Sequence, residues 1–227
     1  ACAALMVPAR QSFSTASKLL RSIGTNRKAV AFDLVSSGIV ALIQPYSNNA
    51  LKRVIRAPRM YFLDTGLCAH LTRWTSAETL ERGAMDGAFF ETWVVSEIYK
   101  SYLNQGKIQP PLYFYRDSSK KEIDLIIYQD GVVSPIEIKK ILPKDAAKNF
   151  SVLNPIEKEP DADSISAGAA HLKTKIGTGV VICMPPDMIP VDQKNWYVPV
   201  WLFEQTQIEF HKTAAAILRQ QFLLCVW

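Results

Sequence analysis

The sequence predicts an α+β (or α/β) fold, a mixed sheet flanked by helices, and three observations carry that reading. First, Gly87 to Leu103 has helical spacing, with Phe90, Trp93, Val94, Ile98 and Leu103 on or near one face and Gly106 available to end the helix. Second, three β-type runs follow Pro110-Pro111: Leu112 to Arg116, Glu122 to Tyr128 and Val132 to Lys139. Third, a helical stretch from Lys144 to Leu153 precedes two short strands, Val180 to Met184 and Tyr197 to Phe203. A helix, a β-meander, a helix and further strands make one layered sheet.

The remaining elements follow in chain order. Residues 1–57 read as a small helical module: Ser14 to Ile23 and Arg27 to Ser36 have helical spacing, and Gly38 to Tyr46 is a β-rich run ending at Ser47-Asn48-Asn49. Two helices and a hairpin with a polar tip resemble a winged helix. Lys52, Arg53, Arg56 and Arg59 follow the tip and either touch phosphates or form a solvated face on a packing module. The second division, 58–203, begins with Met60 to Leu63 and a short helix through Leu71 that Asp64 or Thr65 would cap. Residues 154–177 are polar and small and read as a long loop, and 204–227 form an extension with no assigned role.

Composition narrows the function classes. With 227 residues, 48% of them apolar, the chain can bury a sizeable core. No run approaches the eighteen apolar residues of a membrane span, and no secretory leader is evident, so the expected partners include no membrane and the expected compartment is the cytoplasm. Cys2, Cys68, Cys183 and Cys225 lie far apart and suggest neither a zinc site nor a disulfide framework. A net charge of +5 suits a polyanionic partner.

The chemistry concentrates on one hairpin. Asp130-Gly131 is a strong two-residue hairpin signal, and a loop centred there sets Asp124 opposite Glu137 and Glu122 opposite Lys139. Side chains alternate along a strand, so Glu122, Asp124, Glu137 and Lys139 are expected on one face, with Ile123, Leu125, Ile136 and Ile138 on the other. Facing carboxylates have Cβ atoms roughly 5 Å apart and repel. A shared proton or a neighbouring Lys can neutralise them, and so can Mg²⁺ or Mn²⁺, which takes one or two carboxylates and keeps waters for substrate phosphates. In the metal reading Lys139 orients or deprotonates the attacking water, or steadies charge on the phosphate. The alternatives are a site of the same shape without activity and a salt-bridge face. Arg116 can contact a phosphate or pair with Glu122. Lys140, Lys144 and Lys148 form a basic run that is either a nucleic-acid contact or a solvated face.

Ile123-Asp124 followed by Glu137-Ile138-Lys139 resembles the motif of the PD-(D/E)xK, restriction-endonuclease-like superfamily. That resemblance implies catalysis by Asp124, Glu137 and Lys139 with a Mg (or Mn) ion on Asp124, Glu137 and a Glu from an upstream helix. Glu91 matches that last position, with Glu97 the weaker candidate. More closely, Leu34 to Val40, Ala57 to Leu67, the Phe90-Glu91 helix, Phe114-Tyr115-Arg116 and Glu122-Ile123-Asp124 are similar to the C-terminal region of bacterial and archaeal AAA-type ATPases, whose last domain is nuclease-like. The resemblance implies an upstream ATPase domain as partner and ATP bound only there, because no GxxxxGK[ST] occurs in this sequence. DNA is the implied substrate.

Overall fold

The computed structural model describes residues 27–47, 57–157 and 174–202. The helix expected over Ser14 to Ile23, the basic residues Lys52, Arg53 and Arg56, and the segment 204–227 lie outside the described residues. The described chain forms two compact units, one built from 27–43 and 57–100, the other from 44–47, 101–157 and 174–202.

In the first unit, helix α1 (Arg27–Ser36) ends at Gly38, whose φ of 69° needs a residue without Cβ strain. Strand β1 (Val40–Pro45) follows, and its residues Val40 to Ile43 run antiparallel to β2 (Arg59–Phe62), with Val40 opposite Phe62 and Ile43 opposite Arg59. Helix α2 (Thr65–Leu71) is capped as its sequence suggests: the Asp64 carboxylate accepts the Leu67 N–H at 2.9 Å. A short helix not anticipated, α3 (Ala77–Glu81), is held by a Ser76–Thr79 capping box. Helix α4 (Asp86–Asn104) belongs to this unit through Lys100. Val40, Phe62, Cys68 and Phe89 form the unit's core, with Leu34, Met60 and Trp74 packed against it. Of the expected apolar face of α4, Val94 and Ile98 are buried, Phe90 and Trp93 half-buried and Leu103 exposed, and Phe89, Val95 and Tyr102 are buried as well.

In the second unit, Gln44 and Pro45 run parallel to β3 (Leu112–Arg116), which begins an antiparallel meander with β4 (Glu122–Gln129) and β5 (Val132–Ile138). The helical stretch expected from Lys144 to Leu153 is a 3-10 helix, η1 (Ala146–Glu157). The short β6 (Lys175–Ile176) and then β7 (Gly179–Cys183) both run parallel to β5, and β9 (Asn195–Pro199) runs parallel to β7. Strand β8 (Ile189–Pro190) closes the edge against β9. Ile123, Ile126, Val133, Phe150, Leu153, Ile156, Val181 and Cys183 make the core between sheet and η1.

The β4–β5 register is the one the sequence sets. Leu125 pairs with Ile136 and Gln129 with Val132, and Asp130 and Gly131 both have positive φ, 52° and 74°, as a primed two-residue turn requires. The expected division of faces is corrected at Ile123. Tyr113 pairs with Ile126 but Tyr115 with Ile123, so β4 carries one residue more than β3 between those pairs. This bulge turns Ile123 toward the same core as Ile126. Glu137 pairs laterally with Val181 of that core, so Ile123 does not face away from it.

Gly179 shows how closely η1 approaches the sheet. A Cβ there would meet Phe150 ring carbons at 2.6 Å and collide with the Asn195 side chain. Gly179→Ala is expected to cost about 1–3 kcal/mol through overpacking, read as a lower urea midpoint at unchanged slope.

Candidate active site

Strand β4 delivers Asp124 and β5 delivers Glu137 just beyond the last backbone pair, Leu125 with Ile136. With no β4 ladder partner there, the Ile138 N–H donates instead to Asp124 Oδ2 at 2.9 Å. Both carboxylates are 5% exposed. Lys139 lies between them: its Nζ stands 2.9 Å from Asp124 Oδ2 and 2.7 Å from Glu137 Oε1, and it also donates to the Ile138 carbonyl at 3.0 Å. Burial, reinforced by the Asp124 charge, pushes the Glu137 carboxyl up to about 7 against the pull of Lys139. Burial pulls the Lys139 ammonium down, but Asp124 and Glu137 outweigh it and raise it to about 12.

Glu137 Oε2 is buried and has no hydrogen-bond partner. A buried carboxylate oxygen with free lone pairs is costly unless something donates to it or binds it. The two carboxylates, this oxygen among theirs, are donors of the kind a hard divalent cation takes, and the Lys139 ammonium already stands beside both. Among the described residues no group of three or more His, Cys, Asp or Glu side chains is gathered as a metal site.

The other expected residues have separate surroundings. Glu91, in the first unit, is 9% exposed; it accepts a 2.8 Å hydrogen bond from the Tyr61 hydroxyl and lies 3.9 Å from the buried Arg59 guanidinium. Burial and the Glu91 charge hold the Tyr61 hydroxyl well above its usual range. Glu97 pairs with Lys100 on the helix surface. Arg116 pairs with Glu122 at 3.6 Å, so Glu122 meets an arginine and Lys139 turns inward to the other two acids. Lys144 and Lys148 are exposed and Lys140 half-buried. Sequence reasoning missed the buried Arg59–Tyr61–Glu91 group. Its signal was the alternation of Arg59 and Tyr61 along β2, which puts both on one side. No helix among the described residues is long and apolar enough to cross a membrane.

Comparison with known proteins finds two family models. Residues 12–78 match a domain of unknown function, DUF8612. The uncharacterized proteins Rv2008c of Mycobacterium tuberculosis and Mb2031c of Mycobacterium bovis are each 31% identical over 108 residues, which is 47% of this chain. The chain thus spans about a quarter, 23%, of the length of these relatives. No solved structure matches. The second match covers residues 86–203, more than half of the chain and all of Asp124, Glu137 and Lys139, and by it the chain belongs to the family described as a domain of unknown function, DUF4143.

Proposed function

We propose that this chain carries a divalent-metal-dependent nuclease site of the PD-(D/E)xK type that hydrolyses DNA phosphodiesters, as the C-terminal part of an AAA-type ATP-binding protein. The observation that carries it is the convergence of Asp124, Glu137 and Lys139 at the open end of the β4–β5 hairpin, with Glu137 Oε2 buried and unpartnered. The meander supports it as well, because the hairpin register brings Asp124 and Glu137 to the same end of β4 and β5. The relatives' greater length leaves room for an ATPase domain.

Asp124 and Glu137 would hold Mg²⁺ or Mn²⁺. When bound, the ion polarises the scissile phosphate and acidifies a water. Lys139, whose ammonium stands beside both carboxylates, would orient the attacking water or steady the charge that develops on the phosphate. Its side chain is 30% exposed, which leaves the ammonium within reach of solvent and substrate. Asp124 is oriented by the Ile138 N–H, and this fixes one carboxylate before any ligand arrives.

A second reading follows from the same ammonium. Lys139 already offsets one of the two negative charges without a metal, as in a nucleic-acid- or protein-binding module that does not cleave. Purified chain incubated with supercoiled plasmid and single-stranded DNA separates the two. Nicking in Mn²⁺, absent in EDTA and reduced at least about 100-fold by Asp124→Asn, is expected. Mn²⁺ should also raise the native Tm, corresponding to about 2.7 kcal/mol at 100 times its Kd, and leave Asp124→Asn nearly unmoved. Identical Mn²⁺ responses in the two proteins would remove the metal and leave the binding module.

A further inference from the structure

The antiparallel meander and the parallel strands bring several chain ends to one place. The end of β3, the start of β4 and the ends of β5, β7 and β9 all lie at the same end of the sheet in the second unit. Two segments project there. One is the β3–β4 turn, where buried Asp117 accepts the Lys121 N–H at 2.9 Å and exchanges backbone bonds with Lys120 and Lys121. Lys120 is held at φ 66°, a conformation unfavourable for a side chain, and both lysines are exposed. The other is the loop after β5, Lys139-Lys140-Ile141-Leu142-Pro143-Lys144.

In that loop Ile141 is 81% and Leu142 46% exposed, and Met184, just past the end of β7, is 53% exposed. Single exposed aliphatics are ordinary, but adjacent ones inside a basic loop beside a candidate site call for a partner. The charge selects its kind. From Lys139 to Lys148 there are four lysines and a single acid, Asp145; Lys139 is turned to Asp124 and Glu137, which leaves Lys140, Lys144 and Lys148 on the loop. A strongly basic rim around apolar side chains fits a polyanion that also offers apolar surface, and nucleic acid with unstacked bases is such a ligand.

We propose that Ile141 and Leu142 insert against unstacked bases while Lys120, Lys121, Lys140 and Lys144 hold the phosphates, so that the chain selects single-stranded or bulged nucleic acid over smooth duplex. This rests on the nuclease-like reading only for what happens after binding. Aliphatic side chains act as wedges between base steps in other nucleic-acid binders, where the cost of unstacking is smallest for bases already unpaired.

Binding of the full chain is measured in EDTA, so that cleavage plays no part, using fluorescence anisotropy with a labelled single strand, its perfect duplex and the duplex with a bulge carrying 2-aminopurine. The expected preference for single-stranded and bulged forms over duplex is about tenfold or more. Ile141→Ser with Leu142→Ser, both surface changes, should bring that preference within about twofold and abolish the 2-aminopurine rise while duplex affinity holds. Lys120→Ala with Lys121→Ala should weaken every form alike and reduce the salt slope by about 1–2. Equal affinity for all forms in the native chain overturns the proposal. So does a serine variant that keeps its preference, or one that changes only the oligomeric state on light scattering, which would assign the patch to protein contact. Because binding is read in EDTA and nicking in Mn²⁺, absence of nicking by the native chain with intact structure-selective binding would sink the nuclease reading and spare this one.

Discussion

Replacing Lys139 with methionine is expected to destabilise the chain by about 2–3 kcal/mol at pH 8. Removing one partner of a fully buried ion pair typically costs about 3–5 kcal/mol, because the remaining charge is stranded. Here the stranded group is a pair of carboxylates, each 5% exposed, that Lys139 contacts at 2.9 and 2.7 Å. The Lys139 side chain is 30% exposed, so solvent already screens part of its attraction and the lower figure applies. Methionine keeps the aliphatic bulk, which separates charge from packing. Adding Glu137→Gln to Lys139→Met should recover most of the loss, because one of the two repelling charges is gone. Urea denaturation of the four proteins in EDTA measures the coupling, and a single-variant loss below about 0.5 kcal/mol would mean that Lys139 is an ordinary surface lysine.

The same pair explains how much of the site was legible in the sequence. Asp130-Gly131 demands positive φ at both positions, and only one hairpin register follows from it, so the juxtaposition of Asp124 and Glu137 could be read directly. The partner of Lys139 could not. Strict alternation placed it opposite Glu122, but Glu122 is taken by Arg116 across the β3–β4 ladder, a pairing fixed by a second register. The bulge in β4 was invisible for a related reason: Ile123, Leu125, Ile126 and Ile127 are all apolar, so either face assignment satisfies the pattern. Helix α4 was legible in extent but not in rotation, since Phe90, Trp93 and Leu103 are as apolar as the residues that are buried. Alternation puts Arg59 and Tyr61 on one side of β2, but the Glu91 charge beside Arg59 comes from α4, a distant part of the chain that no local period encodes.

Stability should fall as pH rises from about 4.5 to about 7, the reverse of the usual behaviour of salt-bridged carboxylates. Burial, with the Asp124 charge, raises Glu137 from its usual 4.5 to about 7 in the folded chain. Within that window the folded protein keeps a proton that the unfolded chain has released. Stability rises with pH only where the unfolded state binds more protons, so here it declines. At 1.36 kcal/mol per unit the full decline is about 3 kcal/mol, complete once pH passes the folded value. Lys139 acts in a separate range: its pKa is raised from 10.5 to about 12, so its contribution is present below 10.5 and is lost only as pH climbs through 12. The neutral window therefore reports mainly on Glu137. Urea titrations in EDTA at steps between pH 5 and pH 8 should show native stability falling while Glu137→Gln, which has no proton to lose, stays level across the Glu137 window. A native profile that is flat, or that rises in parallel with the Glu137→Gln profile, would mean that Glu137 is ionised throughout and that its Oε2 is solvated. The buried, unpartnered oxygen offered to a cation would then not exist in solution.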